Sequence, residues 1–140
     1  MKTIQLLLKV TLAFVVAFAV SLNFVVDKAM ATGQFSLTCD KDNIAIDGST
    51  LSANCQKSNG GSQETSLNLN QYIANHDGTL AWGDSDFSKT CKNIGLAQLL
   101  GSKQLILVAD CKTPAENTYT PTEIELDAHI ANVNGTLKYE

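Results

Sequence analysis

The side chains best equipped for chemistry in this 140-residue chain are few and scattered. His76 and His129 are its only two histidines. A hydrolytic triad needs a serine or cysteine nucleophile beside one of them, and the two histidines do not occupy equivalent places in the internal repeat set out below. Asp84 with Asp86, and Glu123 with Glu125 and Asp127, are carboxylate groupings of the kind that cleave glycosidic bonds. The first pair falls in a loop and the second set alternates along a strand, which reads as a solvated face. No phosphate loop, dinucleotide fingerprint or paired C-x-x-C or H-x-x-x-H ligand spacing occurs. The sequence therefore predicts no enzyme, no metal and no cofactor. Asn75 with Asp77, and Asn132 with Asn134, are better placed for recognition. Each pair sits beside a tight turn and offers groups that can satisfy vicinal sugar hydroxyls without burying a charge. Asn and Asp also favour turns for purely local reasons, so binding and turn formation both account for them.

The elements that position these residues come in two copies. "IANHDGTL" at Ile73–Leu80 returns as "IANVNGTL" at Ile130–Leu137. "FSLTC" at Phe35–Cys39 returns as "FSKTC" at Phe87–Cys91, and "LNLNQYIANHDGTLAW" from Leu67 aligns with "IELDAHIANVNGTLKY" from Ile124. In this register His76 matches Val133 and Tyr72 matches His129. Alternation in "LNLN" and "IELD" predicts half-buried strands. Asp77-Gly78 and Asn134-Gly135 predict type I′ hairpin turns, which need positive φ at both central residues. "DGST" at Asp47–Thr50 and Gly60-Gly61 read as further turns. "LILVA" at Leu105–Ala109 reads as a buried strand, with helical turns expected near Ala97–Leu100, Asn70–Tyr72 and Asp127–His129. The fold class is all-β. A unit of about fifty residues buries too little core to stand alone, so the two copies are expected to exchange strands or pack as one pseudo-twofold body. "GDSD" at Gly83–Asp86 is the candidate hinge, which makes a monomer or a domain-swapped dimer the expected states.

Residues 1–31 read as a signal peptide: Lys2 and Lys9, an apolar run through "VTLAFVVAFAV", and Ala29-Met30-Ala31 before the cut. Removing Lys2, Lys9, Lys28 and Asp27 leaves 7 basic and 13 acidic side chains with no arginine, a net charge of −6. That balance speaks against nucleic acid and, once the leader is cleaved, against anionic membrane surfaces. Four cysteines in an exported chain, secreted or periplasmic, imply two disulfides. Three pairings are possible; the repeat favours Cys39–Cys55 and Cys91–Cys111, because it makes those intervals equivalent. Each closed loop is worth roughly 3 kcal/mol in the chain-entropy model.

The F-S-x-T-C frames, "QKSNGG" after Cys55, "IANHDGTLAW" and "DAHIANVNGTLKYE" resemble the cyanovirin-N homologue family across residues 33–140 (repeat one about 33–82, repeat two about 83–140). The resemblance implies a lectin for mannose-rich glycans or glycoproteins with α1→2-linked termini. It also implies shared strands, short 3-10 turns, local disulfides and one metal-free sugar site toward each end. Carried over residue by residue, site one comprises Gly33, Gln34, Thr38, Gln56, Ser58, Asn132, Val133 and Asn134. Site two comprises Asn75, His76, Asp77, Ser85, Asp86, Thr90, Lys112, Thr113 and Glu116. Relative to the family pattern, Ala74 and Lys89 replace glutamates, Pro114 an arginine, Leu37 a glutamine, Gln56 a glutamate and Asn134 an aspartate. Asp84 replaces a hinge proline, and "DKDN" at Asp40–Asn43 is additional. Ala74, Lys89 and Pro114 fall in site two and predict that it is weaker or altered in specificity, whereas site one, with Leu37, Gln56 and Asn134, is expected to keep its hydrogen-bond geometry. The alternative is a disulfide-stapled inhibitor or protein-interaction module whose sugar sites have drifted. Intact-mass measurement of the exported protein is expected to place its first residue at Thr32; a mass retaining residues 1–31 would refute cleavage there.

Overall fold

The computed structural model describes residues 33–140, so the leader expected at residues 1–31 lies outside the described residues. Repeat one contributes β1 (Ala45–Asp47), β2 (Thr50–Gln56) and β3 (Ser62–Asn68), which form an antiparallel sheet in that order. A hairpin follows, β4 (Ile73–His76) with β5 (Thr79–Trp82). Repeat two lays down the same plan: β6 (Cys91–Gln98), β7 (Leu105–Lys112) and β8 (Tyr119–Glu125), then the hairpin β9 (Ile130–Val133) with β10 (Thr136–Tyr139).

Alternation explains the strands. In β2, Leu51, Ala53 and Cys55 are buried while Ser52 and Asn54 between them are half-buried on the other face. Both hairpin turns have the anticipated geometry: Asp77 and Gly78 take φ of 54° and 100°, Asn134 and Gly135 take 49° and 87°. Glycine is needed in each turn for a second reason. An added Cβ at Gly78 would lie 2.5 Å from Thr120 Oγ1, and one at Gly135 would lie 2.8 Å from Lys57 Cγ.

Those close approaches show where each hairpin goes. The β4–β5 hairpin of repeat one lies on the sheet of repeat two, and β9–β10 lies on the sheet of repeat one. Leu80 N donates to Thr122 Oγ1 (3.1 Å) and Leu137 N to Thr65 Oγ1 (3.0 Å). The repeats therefore share their strands. The fully buried apolar side chains are also paired by the duplication: Phe35 with Phe87, Leu51 with Leu107, Leu69 with Leu126, Ile73 with Ile130 and Cys55 with Cys111. The disulfides are Cys39–Cys55 and Cys91–Cys111, each local to its repeat.

Some local expectations are corrected. No helical turn forms at Ala97–Leu100; β6 continues to Gln98, where Ala97 pairs with Ile106 and Gln98 with Leu105. Leucine content suggested a helix there, but antiparallel pairing with β7 prevails. The other 3-10 turns fall at Leu69–Gln71 and Leu126–Ala128, and three more occur at Phe35–Leu37, Lys41–Asn43 and Phe87–Lys89.

Asp127, placed on a solvated strand face by the sequence reading, is instead 2% exposed. Its Oδ1 accepts from Ser36 N (3.0 Å) and its Oδ2 from Leu105 N (2.7 Å). Asn70 fills the matching place in repeat one, accepting from Ser88 N (3.0 Å) and donating to Ser88 Oγ (2.6 Å). Main-chain bonds run alongside, from Gln34 N to Asp127 O and from Asp86 N to Asn70 O, each 2.8 Å. These latches tie the first turn of each repeat to the end of the other repeat's sheet. Asp127→Ala strands two backbone donors at about 1–3 kcal/mol each, so urea denaturation should show a loss of roughly 2–6 kcal/mol. Asp127→Asn, which supplies one acceptor as Asn70 does, should fall between that variant and the parent.

Candidate functional site

Two polar clusters form where a hairpin turn meets the disulfide and loop of the opposite repeat. At the first, Asn132 on β9 donates from Nδ2 to Thr38 Oγ1 (3.0 Å) and to Gln56 O (2.9 Å). Its Oδ1 accepts from Gly135 N (2.7 Å), closing its own turn. Thr38 and Gln56 are neighbours because Cys39 is bonded to Cys55, and Gln56 N donates to Thr38 O (3.0 Å). Asn134 reaches the β2–β3 loop, where its Oδ1 accepts from Ser58 N (3.0 Å) and Ser58 Oγ (2.7 Å).

The second cluster repeats half of this plan. Asn75 Nδ2 donates to Thr90 Oγ1 (3.0 Å) and Lys112 O (2.9 Å), and its Oδ1 accepts from Gly78 N (2.8 Å). Lys112 N donates to Thr90 O (2.9 Å). The Asn134–Ser58 link has no counterpart. Pro114 stands where Ser58 stands in the other copy, with neither an N–H nor a hydroxyl, and Asp77 is left exposed on its turn. The β4–β5 turn is held from below by Thr120 Oγ1, which donates to Gly78 O (3.0 Å).

The structure thus brings together Thr38, Gln56, Ser58, Asn132 and Asn134 at one end. Gln34, bridged to Ala131, and exposed Val133 border them. Gly33 adjoins Gln34, and its ideal Cβ would meet Asp127 O. At the other end Asn75, Thr90 and Lys112 meet directly, with His76 and Asp77 on the adjoining turn. Thr113 and Glu116 lie on the loop closed by Thr113 N donating to Thr118 O (2.9 Å). Ser85 and Asp86 enter the 3-10 turn that ends at Thr90, with Asp86 3.3 Å from Lys89 Nζ. The first cluster contains no ionisable side chain among its eight residues, whereas the second holds Asp77, Asp86, Lys112, Glu116 and His76.

All three hydrogen-bonding groups of Asn75 and of Asn132 are engaged inside the protein, fastening each hairpin turn to the opposite repeat. Sequence reasoning also missed Gln63 and Thr65. Gln63 Nε2 donates to Gly135 O (2.9 Å) and Thr136 Oγ1 (3.1 Å), seating the β9–β10 turn. The available signal was that the inward face of β3 reads Gln-x-Thr-x-Leu, polar where a core strand is ordinarily apolar.

A duplicated, cystine-braced β domain with exchanged hairpins and polar end clusters is a recognisable class. The family model of the CVNH domain matches residues 35–138. The solved structure of microvirin in complex with mannobiose is 34% identical, with a TM-score of 0.67, covering 77% of this chain and 99% of that one. The Gibberella zeae CVNH structure is 32% identical at TM-score 0.66, covering 75% and 95%. The T. borchii structure is 28% identical at 0.64, covering 76% and 99%. This chain belongs to the cyanovirin-N homologue family.

Asn132→Ala removes the tie between hairpin and sheet and is expected to cost about 2–3 kcal/mol, with faster amide exchange at Gly135 and Leu137. Asn134→Ala should cost less than 1 kcal/mol by comparison, since its bonds to Ser58 are exposed. Equal losses in the two variants would contradict these roles.

Proposed function

We propose that this chain is a metal-free, non-enzymatic carbohydrate-binding protein for mannose-rich saccharides with α1→2-linked termini, acting at its two end clusters. The observation that carries the reading is the first cluster. It is a set of uncharged hydroxyl, amide and main-chain groups held in fixed geometry, in a chain 34% identical to a protein whose solved complex holds mannobiose. Neutral donors and acceptors match sugar hydroxyls without the desolvation penalty of a buried charge. The amino-terminal leader and the two disulfides support action outside the cytoplasm, in a secreted or periplasmic setting.

Site one is the stronger of the two. Ser58 pre-orients Asn134, so little conformational freedom is lost on binding. At site two that restraint is missing, and the charged side chains must be partly desolvated. Two working sites on a branched glycan would raise avidity by ~10²–10⁴ over one; a weakened second site reduces that gain.

Titrating the 15N-labelled mature chain with mannobiose tests this. Amides of Thr38, Ser58 and Asn134 are expected to shift at lower ligand concentration than those of Asn75, Asp77 and Thr90. Gln56→Ala, which keeps the main-chain carbonyl used by Asn132, should weaken site one several-fold and leave the unfolding midpoint unchanged. Silence at both clusters up to millimolar ligand would overturn the lectin reading in favour of a protein-interaction module.

A further inference from the structure

The outer face of the β1–β3 sheet carries a groove of about 430 Å³, away from both end clusters. Ser52 and Asn54 of β2 face Ser66 and Glu64 of β3 across the ladder, and Asn43 forms the wall. That wall belongs to the 3-10 turn at Lys41–Asn43. Asp40 caps its 3-10 turn by accepting from Asp42 N (3.2 Å), and Asn43 Nδ2 donates to Asp40 Oδ2 (2.6 Å). Asn54 itself is unusual. Its Oδ1 is cut off from solvent and has no hydrogen-bond partner among the described residues. An acceptor buried without a partner carries an uncompensated desolvation cost.

The duplication supplies an internal control. The matching face of the β6–β8 sheet carries a smaller groove, about 310 Å³, with Val108, Asp110, Pro121 and Glu123 where β2 and β3 place Ser52, Asn54, Glu64 and Ser66. There the acceptor at Asn54's position is already engaged, because Asn93 Nδ2 donates to Asp110 Oδ2 (2.8 Å). The fold therefore does not require this polar set or its orphaned oxygen. Both belong to repeat one alone.

We infer that the outer face of the β1–β3 sheet is a third ligand site, taking one unit of a neutral saccharide between Asn43, Asn54 and the serine pair. The groove volume lies in the range of small-molecule sites. Two amides, two hydroxyls and one carboxylate, without cation or aromatic ring, suit a hydroxylated or N-acetylated sugar and give no counter-charge for phosphate or carboxylate ligands. The choice of ligand class rests on the carbohydrate-binding reading above; the location does not.

The test is an amide titration of the intact mature chain with mannobiose and, separately, with N,N′-diacetylchitobiose, whose acetamido groups can pair with the asparagines. One of the two sugars is expected to shift the amides of Ser52, Asn54 and Ser66 along a saturating curve distinct from that of the end clusters. Ser52→Val with Ser66→Glu installs the residues that β7 and β8 already carry at these positions. It should abolish those shifts and leave the responses of Thr38 and Asn134 unchanged. End-cluster shifts with a silent groove for both sugars would overturn the third site and leave the lectin reading standing. Groove shifts that survive the double variant would also overturn it. Silence everywhere would overturn both.

Discussion

Everything in this molecule depends on the side-chain amide of one asparagine per repeat. A hairpin turn that crosses to the other repeat must be fastened to a surface it does not share a chain neighbourhood with. Asn75 and Asn132 do this with every group they have: the oxygen closes the hairpin's own turn, and the two N–H groups grip a threonine and a carbonyl of the opposite copy. Aspartate would lack the donors and threonine the reach. The disulfide lies directly beneath, holding that threonine and carbonyl side by side. Folding and construction of the polar end clusters are thus one event.

The two ends have diverged within that shared plan. At one, Ser58 and Asn134 complete a neutral, mutually ordered surface. At the other, a proline removes both donors and acidic and basic side chains gather round the turn. Duplication supplies two identical starting points, and the constraint on Asn75 and Asn132 preserves the scaffold while the surrounding positions vary. The same freedom separates the outer sheet faces, where one copy keeps a polar groove and the other lines a smaller one with valine, proline and a satisfied aspartate.

Much of this was legible in the residues. The duplication, the local disulfides and both Asx-Gly turns are written in short-range patterns, and turn chemistry acts over four residues. Grouping Thr38 with Gln56 and Ser58 followed from the family resemblance. Three things were not legible, each because it depends on distant contacts. Asp127 looks like a solvent-facing residue in "IELDAH", and only the arrival of Ser36 from 91 positions away makes it a buried latch. The leucines around Ala97–Leu100 have no helical fate once β7 offers a pairing edge. Asn75 and Asn132 carried two explanations at once, and the geometry assigns them to architecture first.

The junctions between the copies are equivalent in a further respect. Gly83 N donates to Tyr72 O (3.0 Å) and Asp86 N to Asn70 O, while Glu140 N donates to His129 O (2.8 Å) and Gln34 N to Asp127 O. Gln34 and Glu140 therefore flank one short segment just as Asp86 and Gly83 flank its twin, and only in the second case does covalent chain join them. The molecule is close to a ring that has been opened at one of two interchangeable seams. Circular permutation, with Gln34 and Glu140 spliced by a bridge as short as Asp84-Ser85 and new ends made between those residues, is expected to keep the main-chain bonds of both junctions.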